Sequence, residues 1–475
     1  MKRSIIRVSC FLLILIMVLG YWNSVFKVKH GDGIYSLTKF YELEDDTVDV
    51  LVLGSSHAFE SFNTGMLWDE HGMSSYILAG SLQPIWNTYY YLKEALKTQT
   101  PKLIVLEGYC LGYSPDADDE SIMIKNTFGL RWSKNKIDAL KATVPKERWS
   151  EFVLEYSQYH TRYKELTRED FLKNQGDPFY NDWKGFGCNM ATVPMEGIDV
   201  SAVEESVQLP EKTEMYYRML LSLAQENHIP ITVVVAPYAG ITVWEQQNLN
   251  RAEEIALDMG VQFVNCNRFL DEIGIDYTMD AADPGHLNYR GNQKFTRFIG
   301  QYLAEHYDLP DRRGDEAYDS WNRHAEYIRQ MLYNQELIEC TSPSEIIQKI
   351  KNPNYWVCLS IDGTCTSSDE HVKGYLEELG IEETGAGGIW LRQNGTVVWN
   401  SDMENGEVYQ TTPSHDFHLK RHNHGNGLYT NTMIIDRVPY MKVANGMNVV
   451  VYDTVTEGIV DVWGLNMDDD YSIVR

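Results

Sequence analysis

Two apolar runs constrain the fold of this chain more than any other feature. Val48-Asp49-Val50-Leu51-Val52-Leu53 and Ile231-Thr232-Val233-Val234-Val235-Ala236 are nearly continuous in Val, Leu and Ile. A strand with one wet face alternates apolar and polar residues. A strand without that alternation is covered on both faces, as in parallel sheets. Ser75–Ala79, Leu103–Glu107 and Gln262–Asn265 read as further strands. Pro84–Lys97, Glu214–Glu226, Glu245–Met259 and Gly291–Glu305 read as amphipathic helices between them. This alternation from Val48 to about Leu309 predicts an open α/β sheet, with a ligand crevice at the carboxyl ends of its strands.

Other stretches break the pattern. The alternation stops in an insert, residues 110–207, rich in aromatic and charged residues. An insert growing from a strand-end loop is placed to cover the crevice, or is a helical decoration without a role in the chemistry. Residues 313–337 are polar and helix-prone and are expected to join two domains. Ser342-Pro343-Ser344-Glu345 reads as a helix start, with Ser as N-cap, Pro at N1 and Glu at N3. Beyond it, strands are expected at Trp356–Ile361, Gly388–Leu391, Thr396–Trp399, Thr432–Ile435 and Asn448–Tyr452, with one helix at Ser368–Leu379. Residues 338–475 are therefore read as a separate α+β domain.

Residues 1–30 open with Lys2, Arg3 and Arg7 and continue into an apolar run from Val8 to Trp22. Cations before such a run place the remainder outside the cytoplasm. A cleaved signal peptide is the rival reading. The following Gly20-Tyr21-Trp22-Asn23 offers no good small-x-small cleavage site, and Tyr and Trp suit a membrane interface, which favours an uncleaved single-pass anchor. The formal charge of −27 excludes the basic footprint that nucleic-acid binding requires. Seven cysteines show no Cys-x-x-Cys spacing, so no zinc site is expected, although one or two disulfides fit the count.

The chemistry is carried by two short motifs far apart in sequence. Gly54-Ser55-Ser56-His57 follows the first strand, and Asp283-Pro284-Gly285-His286 precedes the last helix of the α/β domain. Serine needs a base to become a nucleophile, and His286 is the candidate. Asp283, three residues earlier, is placed to orient its imidazole. Ser56 as a mere helix N-cap is the plain alternative. His57 is expected to point elsewhere, in a structural role.

These residues resemble a known family. Gly54-Ser55-Ser56 and Asp283 to His286 resemble the serine and Asp-x-x-His blocks of the SGNH (GDSL-like) hydrolases, over about residues 45–308. The resemblance implies a flavodoxin-like three-layer parallel sheet and a catalytic set of Ser56, Asp283 and His286. It also implies an oxyanion hole built from the N–H groups of Ser56 and Gly80. One block departs: the family's Gly-x-Asn-Asp is replaced by Glu107-Gly108-Tyr109, which lacks the asparagine donor. Gln83, Asn87 or Tyr109 are candidate substitutes or substrate contacts. The same departure marks the branch resembling the teichoic-acid D-alanylation and alginate O-acetylation proteins. That branch implies an extracytoplasmic, membrane-anchored protein working beside a membrane-bound O-acyltransferase. Tyr159-His160-Thr161-Arg162 looks like an insert motif of such chains, which makes His160 and Arg162 candidate substrate ligands, with ion-paired scaffold as the plainer reading.

The last third resembles the domain of interleukin-like EMT inducers, over about 338–464, through Trp356 to Asp362, Gly388 to Leu391, Gly446 to Asp453 and Gly458 to Asp461. The resemblance implies possible glycan recognition. His415, Asp416, His418, His422 and His424 have irregular ligand spacing and read as a solvated loop, and Asp468-Asp469-Asp470 as an acidic tail. No metal or cofactor is expected. The expected activity is an O-acyltransferase or esterase acting on a cell-surface polysaccharide. The alternative is a non-catalytic glycan-binding or assembly protein.

Overall fold

The structure is a computed structural model that describes the chain apart from residues 1, 27–31, 114–118, 154–161, 165, 167, 172–182, 383–386, 402–404 and 426–427. The chain divides into two compact units, Met1–Ala325 and Glu326–Arg475.

The first unit begins with helix α1 (Lys2–Phe26), of which the 22 residues Ile5–Phe26, mean hydropathy 2.3, are long and apolar enough to cross a membrane. Helix α2 (Asp32–Phe40) then leads into the sheet. Its five strands are β1 (Val50–Gly54), β2 (Ser75–Ala79), β3 (Leu103–Glu107), β4 (Ile231–Val235) and β5 (Gln262–Asn265). All pairings are parallel, in the order β2-β1-β3-β4-β5. This is the doubly wound, flavodoxin-like order. Strands β1 to β4 are buried along their whole length, as the unbroken apolar runs require.

Helix α3 (Ser56–Ser61) and helix α4 (Thr64–His71) follow β1, and the C-terminal helix Tyr289–His306 packs on both. Helix α5 (Ile85–Ala95) packs instead with Glu211–Glu226, which in turn touches Val243–Asp258. The fold is thus three layers, helices on both faces of a parallel sheet. Three helix starts lie earlier than the sequence pattern suggests, one at Glu211 after Pro210 and two where side-chain caps set them. Thr242 and Glu245 form a capping box for Val243–Asp258, and the Asn288 side chain accepts the N–H groups of Arg290 and Gly291.

The insert contributes α6 (Tyr109–Gly112), α7 (Glu120–Lys125), α8 (Lys134–Thr143) and α9 (Trp149–Val153), and its described stretch 183–207 holds no helix or strand. The segment expected to join the domains is largely one helix, Asp319–Glu339. Trp321 is in the first core, its indole N–H donating to Ser75 O at 3.0 Å, and Leu337 is in the second.

The second unit holds two antiparallel sheets. One runs β15 (Ser472–Val474), β14 (Gly458–Asn466), β13 (Gly446–Asp453), β6 (Tyr355–Asp362), β7 (Ile389–Gln393), β8 (Thr396–Ser401). The other runs β12 (Val438–Pro439), β11 (Leu428–Ile435), β10 (Asp416–Gly425), β9 (Gly406–Thr411). Leu391 and Val450 of the first sheet share one core with Phe417, Leu419 and Met433 of the second. Helices Pro343–Lys349 and Glu370–Glu378 cover the opposite face of the larger sheet. The histidine-rich stretch read as a loop is strand β10. Phe417, Leu419 and Arg421 point inward, while His418 and His422 alternate outward, so the polar residues that suggested a loop are one face of a strand. All seven cysteines are free thiols. Among the described residues no group of three or more His, Cys, Asp or Glu is placed to hold a metal.

Ile104, fully buried in the middle of β3, tests the core. Ile104→Ala is expected to lower the unfolding free energy by about 3 kcal/mol, read from urea denaturation. A loss below about 1 kcal/mol contradicts the packing described.

Candidate active site

The crevice forms where strand order reverses, between the carboxyl ends of β1 and β3. At the end of β1 the chain turns sharply into α3. A Cβ on Gly54 would stand 2.8 Å from the Glu107 Cβ and 3.1 Å from the Ala58 Cβ, so only glycine fits. Ser55 occupies the N-cap with an extended backbone and makes no side-chain cap bond. Ser56 is therefore the first helical residue rather than the cap, and its hydroxyl is free to face the crevice.

It faces His286. Ser56 Oγ lies 2.8 Å from His286 Nε2, and His286 Nδ1 lies 2.9 Å from each carboxylate oxygen of Asp283. Asp283 Oδ1 also accepts the N–H groups of Gly285 at 2.7 Å and His286 at 3.0 Å. The carboxylate thus shapes the loop and orients the ring together. The loop is anchored at both ends. Ala282 N–H donates to His286 O, Asn288 N–H donates to Asp280 O, and Gly240 N–H donates to Pro284 O. The imidazole and carboxylate stay partly open, at 23% and 45% exposure, while Ser56 is 6% exposed.

His57 does not point elsewhere. Its ring stacks on Tyr109 at 3.6 Å between centroids, meets Tyr238 edge-on at 5.0 Å, and lies 5.0 Å from the His286 ring. On a strand, neighbours of Ser56 would face the opposite way. At the start of a helix, successive side chains diverge by only about 100°, so both can border one crevice. Burial, reinforced by His286, drives the His57 pKa well below the ordinary histidine value. His57 is thus a neutral ring beside the base and adds no charge that would oppose protonation of His286.

The place of the absent asparagine is taken by Glu107, Gly108 and Tyr109. The Glu107 carboxyl is fully buried and accepts the N–H of Tyr109 at 3.1 and 3.2 Å and that of Ala236 at 3.4 Å. It therefore ties the end of β3 to the end of β4, directly beneath Gly54. Burial pushes its pKa from 4.5 up to about 8, against the opposing pull of those N–H groups. Tyr109 is committed to the stack with His57 and Tyr113, and burial raises the pKa of its phenol, which stays protonated.

Gly80 follows β2. A Cβ there would stand 2.4 Å from Asn126 Oδ1 and 3.0 Å from the Gly33 Cα. Asn126, from the insert, also donates its amide to Ser81 O at 3.2 Å, so the insert braces the loop that carries the Gly80 N–H. Gln83 and Asn87 turn away from the role of substitute donor. Gln83 Nε2 donates to Thr88 Oγ1 at 3.0 Å. Asn87 Nδ2 donates to Asn126 O at 2.9 Å, and Asn87 Oδ1 accepts Thr143 at 3.0 Å. Both are completely buried, and Asn87 holds the insert to α5. Arg162 pairs with Asp170 at 2.6 Å and donates to Phe26 O at 3.0 Å, the end of α1. It is placed as scaffold rather than as a substrate ligand. His160 lies outside the described residues.

Sequence reasoning missed Glu107, Asn126 and the position of His57. The one signal for Glu107 is an acid closing an otherwise apolar strand. Asn126 has none, since it acts from an insert without a motif.

No family model matches the chain, and no curated protein matches it. Among solved structures it is similar to a GDSL-like lipase from Bacteroides thetaiotaomicron and to a protein named as an acylhydrolase from Bacteroides fragilis. Each is 12% identical, with a TM-score of 0.29 over 56% of this chain and 95% or 93% of those chains. A likeness this loose carries no argument, so the reading of the site rests on its own geometry.

The buried Glu107 sets a pH dependence of stability. The folded state holds this proton more tightly than the unfolded chain. The stability so contributed is complete below about pH 4.5 and is lost as pH rises through about 8. Glu107→Gln keeps the shape without the titration. Its melting temperature, followed between about pH 5 and 9, is expected to fall less than that of the wild type. Parallel curves contradict a titrating carboxyl at this position.

Proposed function

We propose that this chain is a serine esterase or O-acyltransferase that works through an acyl-Ser56 intermediate. The observation that carries this reading is the unbroken line from Ser56 Oγ to His286 Nε2 and from Nδ1 to Asp283. In the first half-reaction His286 Nε2 takes the hydroxyl proton as Ser56 Oγ attacks an acyl carbonyl. Asp283 holds the tautomer with the proton on Nδ1 and stabilises the imidazolium. The oxyanion meets the N–H groups of Ser56 and Gly80, the first being one of the helix-terminal donors with no intrahelical partner. As the intermediate collapses, the bond to the leaving group breaks and His286 returns the proton to it. In the second half, His286 deprotonates an acceptor hydroxyl, which attacks the acyl-serine carbonyl; the bond from the carbonyl carbon to Ser56 Oγ then breaks and His286 returns the proton to Ser56 Oγ. A sugar hydroxyl as acceptor gives transfer; water gives hydrolysis.

The apolar helix α1, with cations before it, supports a single-pass anchor with the bulk of the chain outside the cytoplasm. That setting, together with the resemblance drawn from the sequence, favours a cell-envelope polysaccharide as acceptor and a membrane-bound O-acyltransferase as acyl donor. The second unit is then a glycan-recognition domain. The rival, a non-catalytic glycan-binding or assembly protein, draws on the missing asparagine after β3.

Hydrolysis of p-nitrophenyl acetate by the full chain in detergent separates the two. Ser56→Ala is expected to remove turnover by at least about a thousandfold, and Asp283→Asn to lower it steeply by releasing the imidazole tautomer. If neither wild type nor variant turns over ester, and cells carrying Ser56→Ala keep their surface O-acyl groups, the binding-protein reading stands instead.

A further inference from the structure

Resting on the reading that α1 spans a membrane, we infer that helix α8 of the insert docks on the anionic lipid headgroups around the point where α1 leaves the bilayer. The chain as a whole carries a formal charge of −27, yet residues 131–148 hold six cations, Arg131, Lys134, Lys136, Lys141, Lys146 and Arg148, against the two anions Asp138 and Glu147. Lys136 is buried and donates to Phe128 O, and Arg148 pairs with Glu120 and Glu151, so the outward charge is carried by Arg131, Lys134, Lys141 and Lys146, with Lys134 also bonded to Asp138 at 2.6 Å. Lys134, Ile137 and Lys141 recur at helical spacing, and all three are exposed; Ile137 is exposed although apolar. Just before the helix, the Trp132 indole is 52% exposed. A helix face carrying lysines and an exposed isoleucine, preceded just before its N-cap by an exposed tryptophan, suits the headgroup zone, where the ring and aliphatic chain enter the interface and the cations meet phosphate.

The opposite face of α8 ties it to the end of the apolar helix. Leu140 and the following Val144 belong to one small core with Met123, Phe128 and Phe152, and Phe26, the last residue of α1, packs against that core. Arg162, from the same insert, donates to the Phe26 carbonyl. The basic helix therefore stands beside the exit of α1. This continuity and the charge complementarity select a lipid surface as the partner of this face.

The test uses the full chain reconstituted into vesicles of phosphatidylglycerol with phosphatidylcholine, into vesicles of phosphatidylcholine alone, and into detergent. Acylation rates of Lys134, Lys141 and Lys146 by a water-soluble amine reagent are read by mass spectrometry. Several-fold slower labelling in the anionic vesicles alone, relieved by molar salt, is the expected result. Replacing Lys134 and Lys141 together by Glu should remove the protection of Lys146 while leaving ester hydrolysis unchanged. Equal rates in all three settings, with the chain floating with the vesicles, overturn the docking and leave the span intact. Failure to float with either kind of vesicle overturns the span, and the docking with it.

Discussion

Where β1 turns into α3, the backbone passes so close to Glu107 that position 54 has no room for a side chain. That close approach sets the position of Ser56. It permits the turn that makes Ser56 the first helical residue, with its hydroxyl in the crevice and its N–H among the unpaired donors of the helix start. The buried carboxyl beneath the turn does more than fill space. By accepting N–H groups from the ends of both β3 and β4, it holds the carboxyl edge of the sheet together where the strand order reverses. Such an edge leaves backbone donors without ladder partners, and a buried acceptor satisfies them at the cost of its own desolvation.

The second half of the site is built differently. The loop from Asp283 to Asn288 contains no regular element, yet each turn of it is tied to a neighbour. Asp283 receives two N–H groups of its own loop, and Asn288 closes the loop as the cap of the last helix. The imidazole thus inherits its orientation from backbone hydrogen bonds as well as from packing. The insert adds a third support, with Asn126 bracing the Gly80 loop and Asn87 holding Asn126 in turn. An insert that first suggests a cover over the crevice is therefore part of its foundation.

The sequence makes the central sheet legible because β1 and β4 must be buried on both faces, and few other architectures accept such runs. Ser56, Asp283 and His286 are legible through position, one at the end of the first strand and two before the last helix. What stays hidden depends on contacts distant in sequence. Asn126 acts from a segment without periodicity, and His57 joins the site because a helix rather than a strand follows Gly54. Strand β10 is hidden because its outward residues are polar and its inward Arg421 is buried through a hydrogen bond to Asn431 at 2.9 Å and the face of Tyr429. Helix Asp319–Glu339 is read as a joining segment because its composition is polar, while Trp321 alone shows that its first turn belongs to a core.

The central claim is that Ser56 is a nucleophile activated by His286. Treatment with a fluorophosphonate probe, followed by peptide mass spectrometry, tests it without knowledge of the natural substrate. A single adduct on Ser56 in the wild type, absent after His286→Ala in a protein that still folds, is the predicted result. Labelling of other serines at the same rate, or labelling of Ser56 that is indifferent to loss of His286, would contradict it.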